Sequence, residues 1–568
     1  MRRSIVILAL CSLFLIPVFS AEQKPLEKQK WGHVAQGRMP EEWYASEQAQ
    51  QIAEVVMAIQ KTNGGWYKNS QMHKLSEEEM MDLMRKKRDH SCLDNYATTQ
   101  EMRFLAHVYK YNKDERYRQS FLKALNMILE CQKACGGWSQ YWPLTGKGSY
   151  QDYITFNDDL MTNVMLMLRD VYENEGDFRD LTDEATRERC RKAFDRGVEC
   201  ILKCQIDDEG VKSVWCAQHD TVTFLPTEGR PHELPTFCGQ ESAALVEFLM
   251  SIENPSKPVQ DAVHAAVKWL DTHKLDNKAT ERYTNPNGEP DVRVIDQPGN
   301  ALWGRFIQLG GKTAKKTQKL FIKHLEARNK TRKVVYKGKE YKYMEADNAR
   351  DSYDPSKAYQ PVYAIYKDSL QNLYYRYLYN YEDTPPVVDW QGVPQRTSLM
   401  PVNRAKYQFL GNWPWEVIYG EYPMWKEKIE GAAEASANGW QQITVTADML
   451  SNTKGKDYND ARLNTIKLAP TTHTIAIPEG KQVVKVIVHG FSNTDIDAIL
   501  SDINGQPCNY VFPKKGYNPI YTTHVIDQLP GTSSRQTGGV ASAEKGNNNL
   551  SLTFTSSQCC VVIRVYVK

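Results

Sequence analysis

One segment of this chain occurs more than once, and that repetition limits the folds open to it. Ile59-Gln60-Lys61-Thr62-Asn63-Gly64-Gly65-Trp66 returns as Cys131-Gln132-Lys133-Ala134-Cys135-Gly136-Gly137-Trp138, and more loosely from Cys204-Gln205 through Gly210 to Trp215. A unit of roughly 75 residues has room for a pair of antiparallel helices, and such units bury their apolar faces only by stacking on neighbours. Gly after Gln-Lys-x-x supplies a left-handed cap that ends a helix, and Trp then packs across the helix ends. Stacked hairpins that curve round make an α/α toroid. The tryptophans, Trp138 among them, serve either as structural wedges or as platforms on which sugar rings stack.

From about Glu41 to Asn380 the apolar residues recur with helical period, as in Phe104-Leu105-Ala106 and Val164-Met165-Leu166-Met167-Leu168, so residues 21–384 are expected to form a mainly α, toroidal domain. Past Asp383-Thr384-Pro385-Pro386 scattered Pro and Trp suggest an irregular connector over 385–438. Beyond Gly439 the texture is β. Gln441–Thr446, Thr472–Ile477, Val483–Val488, Leu550–Thr555 and Val561–Tyr566 are short, β-branched and alternating, and predict a smaller antiparallel β-sandwich over 439–568, with carbohydrate binding as its candidate role.

Residues 1–20 read as an export signal: Arg2 and Arg3 precede an apolar run from Ile5 to Ile16, and Val18-Phe19-Ser20 offers small residues before Ala21. The run is shorter than the ~20 residues a spanning helix needs, so no membrane span is expected once the signal is cleaved. The working protein is then periplasmic, cell-surface or extracellular. The whole chain has 71 Lys and Arg against 69 Asp and Glu, and loss of the two arginines balances the charges. Nucleic acid as a partner would require a basic surplus or patch, so none is expected. A negatively charged substrate would have to be met locally. The 12 cysteines, spread over a long chain, define no small disulfide framework, and a monomer is expected.

Three tracts concentrate hard oxygen ligands beside aromatic side chains. Asp94-Asn95 precedes Ala97-Thr98-Thr99-Gln100, Tyr153-Ile154-Thr155-Phe156-Asn157-Asp158-Asp159 opens a helix, and Trp215-Cys216-Ala217-Gln218-His219-Asp220 ends a further stretch. Helix starts favour Asn and Asp for capping and for the dipole alone, which is one reading. The other is a divalent cation held against a sugar acid. Three such starts spaced by one hairpin would face one cleft.

Taken jointly these motifs resemble the pectate lyases of polysaccharide lyase family 10. Gly64-Gly65-Trp66, Leu93-Asp94-Asn95-Tyr96-Ala97-Thr98-Thr99-Gln100 with Arg103-Phe104-Leu105-Ala106, Gly136-Gly137-Trp138, Thr155-Phe156-Asn157-Asp158-Asp159, Cys216-Ala217-Gln218-His219-Asp220 and Glu233-Leu234-Pro235 with Gly239-Gln240-Glu241-Ser242 fall in the family's order over about residues 40–310. The resemblance implies a toroid that binds calcium and cleaves polygalacturonate, the backbone of pectin, by β-elimination to 4,5-unsaturated products. It implies Asp158 and Asp220 as calcium-binding acids and Arg293 as catalytic base, with Arg305 as the alternative. Asn157, Arg103, Asp94, Trp138, His219 and Arg305 are then candidates for contact with substrate. After Phe306 the chain departs from the family, running into Gly310-Gly311-Lys312-Thr313-Ala314-Lys315-Lys316 and a basic stretch to Lys342.

The implied chemistry suits these residue types. The C5 proton of a uronate becomes removable when the adjacent C6 carboxylate is neutralised and polarised, as a calcium ion with oxygen ligands at ~2.3–2.6 Å does. Two other classes stay open. A glycoside hydrolase would pair two of Asp158, Asp220, Glu233 and Glu241 as acid and base at ~5–9.5 Å. A non-catalytic pectin-binding surface protein would use the tryptophans alone. Gln-x-x-x-Gly-Gly-Trp repeats also occur in terpenoid cyclases, against which the export signal argues.

Overall fold

The structure is a computed structural model that describes residues 25–568 with interruptions, the longest at 345–358, 380–409, 452–465 and 527–548. Residues 1–20 and the first part of the expected connector lie outside the described residues.

The helices follow the repeat. A leading helix α1 (Glu47–Ala58) is followed by three hairpins: α2 (Thr99–Asn112) with α3 (Glu115–Glu130), α4 (Leu160–Glu173) with α5 (Glu184–Cys204), and α6 (Gly239–Met250) with α7 (Lys257–Thr272). First helices pack on first helices and second on second, which buries one continuous apolar core running from Trp31 to Leu309. Good side-chain caps start the second helices: Asp114 accepts from Arg116 N–H and Asp183 from Thr186 N–H.

The repeated sequence is a latch. Gln60 donates to the Gly64 carbonyl and to Ser120 on α3; Gln132 donates to Gly136 and to Ala193 on α5; Gln205 donates to Ser213 and to Ala262 on α7, all at 2.7–2.9 Å. Each glutamine therefore ties its own loop to the second helix of the next hairpin. Gly64 and Gly136 have positive φ, and a Cβ on either would lie 2.5 Å from the Lys123 carbonyl oxygen or 2.2 Å from that of Arg196. Only glycine fits such close approach.

The tryptophans complete the latch. Trp66, Trp138 and Trp215 are wholly buried, and their indole N–H groups donate to Val56, Ile128 and Ile201 near the ends of the preceding helices. That decides between the two readings of these residues: they are wedges. Trp138 offers no face to a sugar. Trp303 makes the same bond, to Leu270 on α7 at 2.7 Å, and so is a fourth member of the series.

Between Leu270 and Trp303 the expectation of helix fails. Two long strands, β3 (Leu275–Thr284) and β4 (Pro290–Gly304), pair antiparallel, and strands Thr331–Tyr336, Lys339–Met344, Tyr359–Lys367 and Leu373–Tyr379 make a four-stranded antiparallel sheet. The reason is legible afterwards: Arg332-Lys333-Val334-Val335-Tyr336 and Tyr374-Tyr375-Arg376-Tyr377 carry the β-branched and aromatic residues that suit a pleated surface. One further helix, α8 (Gly311–Ala327), separates hairpin and sheet.

The expected irregular connector is also corrected where it is described. Leu410 and Gly411 pair with β4, and helix α9 (Tyr422–Asn438) places Met424 and Trp425 in the helical core. After Gly439, which ends α9 with positive φ, the five expected strands are present within two five-stranded antiparallel sheets that share one apolar core. The strand Cys559–Val567 is buried at every position because α9 covers its other face. There Glu427 of α9 receives Arg564 and Tyr566 in short contacts and His489 at 3.3 Å. A chain ending near Lys428 would cut α9 short and remove Arg564, Tyr566 and His489, the partners of Glu427.

Candidate active site

Two irregular turns abut at the starts of α2 and α4. In the first, Asp94-Asn95-Tyr96, Asn95 and Tyr96 have φ of 53° and 62°; in the second, Asn157-Asp158-Asp159, Asp158 and Asp159 have φ of 53° and 56°. Asn and Asp tolerate this left-handed region because their short polar side chains satisfy local backbone groups. The Tyr96 hydroxyl lies 3.4 Å from Asp159 Oδ2 and joins the turns.

Asp94 is nearly buried. Lys68 donates to its Oδ2 at 2.8 Å, while its Oδ1 is buried with no hydrogen-bond partner among the described residues. Burial alone would lower the Lys68 pKa, but the hydrogen bond and charge of Asp94 outweigh it and the shift is upward. Tyr96 is raised, first by burial and then by the Asp159 charge. A buried carboxylate oxygen without a partner is costly unless something electropositive meets it. Its turn abuts the one that carries Asp158 and Asp159, and carboxylate oxygens are the ligands a hard cation takes. Among the described residues, no three His, Cys, Asp or Glu form a ready-made metal cage.

Behind the second turn, Arg305 reaches Asn157 Oδ1 at 3.3 Å and pairs with Glu241 on α6 at 2.6 Å. Both members of that pair are buried, and Glu241 Oε2 has no hydrogen-bond partner among the described residues. In front, a cavity of about 470 Å³ is lined by Tyr96, Asp159 and Arg103 together with Arg38, Arg169 and Glu247. Arg103 is held there by Asp170 at 2.6 Å. Thus Asn157 and Arg305 are bonded, the turn of Asp94 abuts that of Asp158, and Arg103 lines the cavity beside Asp159, while Lys68 joins Asp94 unannounced, since nothing in its sequence neighbourhood singles it out.

Two other expected residues are engaged in the fold. β1 (Ile154–Thr155) pairs with β2 (Gln218–His219), Ile154 opposite His219 and Thr155 opposite Gln218. Past Thr155 the Phe156 and Asn157 N–H groups both donate to the Ala217 carbonyl, so the segments carrying Asp158 and Asp220 run side by side. Asp220 does not start a helix: its Oδ1 accepts from the Val222 and Thr223 N–H groups and the Thr223 hydroxyl, closing a turn. His219 is fully buried, accepts from Cys216 N–H through Nε2 and meets the Phe224 carbonyl through Nδ1, and burial pulls its pKa down to about 4. Both ring nitrogens are committed to the fold, so it is no substrate ligand. Arg293 lies on β4 opposite Glu281, outside the latched base of the hairpin at Trp303.

Residues 60–337 match the family described as pectic acid lyase. That stretch of the chain is a pectate lyase domain. Two solved structures are similar to this lyase: a family 10 polysaccharide lyase from Cellvibrio cellulosa, and an aspartate-to-alanine mutant of it in complex with trigalacturonic acid. Each is 29% identical, covers 49% of this chain and 80% of its own, and superposes with a TM-score of 0.41. No curated protein matches the chain. The lyase is an enzyme acting on polysaccharide, and no helix among its described residues is long and apolar enough to cross a membrane.

Proposed function

We propose that this lyase is an exported, monomeric enzyme that cleaves polygalacturonate by calcium-assisted β-elimination on an α/α toroid, with the β half after Gly439 as a second module. The observation that carries the reading is the pair of abutting acidic turns with the buried Asp94 Oδ1, which has no hydrogen-bond partner among the described residues. Asp158, with oxygen donors from the abutting turn, would hold calcium. Bound there, the ion neutralises and polarises a substrate carboxylate beside the proton to be removed.

The chain's own residues do the rest. Asn157, fixed by Arg305, and Arg103 at the mouth of the cavity orient a uronate over the turns. Glu241 holds the Arg305 guanidinium in place, which suits stabilisation of negative charge growing on the substrate. Arg293 is retained as proton acceptor on the family resemblance alone, and Asp220 is reassigned to holding its turn. Wild-type enzyme with polygalacturonate and calcium should generate the ultraviolet absorbance of a 4,5-unsaturated uronate, and chelator should abolish it. New reducing ends without that absorbance would replace elimination by hydrolysis.

A further inference from the structure

A second hollow, of about 720 Å³, lies away from the acidic turns. Four lysines line it from three separate elements: Lys203 at the end of α5, Lys212 in the loop that follows, and Lys312 and Lys316 on the first turns of α8. All four are exposed. Asp207 and Glu209 share the lining, Lys203 pairs with Glu199 at 3.5 Å and Lys212 donates to the Gln205 carbonyl at 2.9 Å, while Asp207 is engaged, its Oδ1 with Gly210 N–H and its carbonyl with the Thr313 hydroxyl. The latter bond seats α8 against the hollow. The wall opposite is apolar, made by half-buried Phe224 and Leu225 with Pro226.

Ammonium groups around an apolar wall are complementary to a sugar acid, whose carboxylate wants cations while one ring face is hydrocarbon. In a chain whose charges nearly balance, four cations facing one cavity are a local concentration. Two of them stand on the segment where the sequence leaves its family's pattern, so this surface belongs to the chain itself.

We propose that the lysine hollow is an auxiliary site for uronate units of the polymer, separate from the acidic turns, which retains polygalacturonate during turnover. The choice of polymer rests on the function proposed above. The test uses the full chain and the double variant Lys312→Glu/Lys316→Glu, two exposed positions outside the catalytic machinery. With calcium chelated so that turnover stops, wild type should bind long oligogalacturonate weakly and salt-sensitively in calorimetry, and the variant should lose that binding. With calcium, the variant should cleave trigalacturonate at the wild-type rate while its KM for polymer rises ~3–10-fold. Lys312→Arg/Lys316→Arg should behave as wild type. Unchanged polymer binding and KM in the double variant would overturn the proposal, as would equal binding of polyglutamate by the wild type. If wild type yields no unsaturated product, the elimination reading falls, whereas the chelated titration still decides the hollow.

Discussion

The first two repeats and the third share a scaffold but not a chemistry. All three have the glutamine latch and the buried tryptophan, yet only the first two begin their inner helix with an acidic turn at positive φ. In the third, α6 starts at Gly239, and the acid that sequence spacing would recruit, Asp220, closes a turn upstream of it. The same N3 position of the helix shows the divergence: Glu101 on α2 accepts from Trp31 and Thr98, whereas Glu241 on α6 holds Arg305. Latch and acidic turn are thus separable layers, one repeated for packing and the other placed where substrate is met.

Three experiments would break or sharpen that contrast. The largest effect is expected from Asp158→Ala, with turnover lower by roughly a thousandfold and a native circular dichroism spectrum. Asp220→Ala should instead keep kcat within about threefold and cost ~0.5–2 kcal/mol of stability in denaturant unfolding, the value of a lost cap. Equal loss of turnover in both variants would return Asp220 to the metal site.

Next in size, the two arginines should separate at saturating substrate. Arg293→Ala should lower kcat by several powers of ten if it takes the proton, since proton transfer occurs only in the transition state. Arg305→Ala should raise KM and also destabilise the protein, because Glu241 would be left buried and unpaired. Whichever variant keeps its kcat is not the base.

The smallest effect is a pair of opposed pH slopes. Burial pushes the Glu101 carboxyl up from 4.5 to about 7, so the folded state keeps a proton that the unfolded chain releases, and stability falls as pH rises through that window. Burial pulls His219 from 6.5 to about 4, so the unfolded chain binds a proton that the folded state refuses, and stability falls as pH drops through that window. Thermal melts should show Glu101→Gln flattening the first slope and His219→Gln the second, each by a few degrees in Tm.

What could be read from the sequence was local. Helical period, the Gly-Gly-Trp latch and the alternating strands after Gly439 each depend on neighbours a few residues away, and each is seen in the structure. The site was half legible, because Asp94, Asn157 and Asp158 announce themselves as oxygen-rich helix starts. Lys68 and Glu241 became partners through contacts 26 and 64 residues apart. His219 misled because a buried imidazole and a ligand look alike in a row of letters. The hairpin at 275–304 was missed because a helical reading was extended across residues whose fate is set by the latch on either side.

That latch has a consequence for how the molecule can change. Trp303 closes on Leu270 just as Trp66 closes on Val56, although a whole hairpin intervenes in one case and a short loop in the other. The stack therefore senses only the two ends of the intervening chain, not its length. Such a junction is a socket: hairpins of different reach can be exchanged there while the helices beneath keep their register, and the enzyme's outer rim can be remodelled without reopening its core.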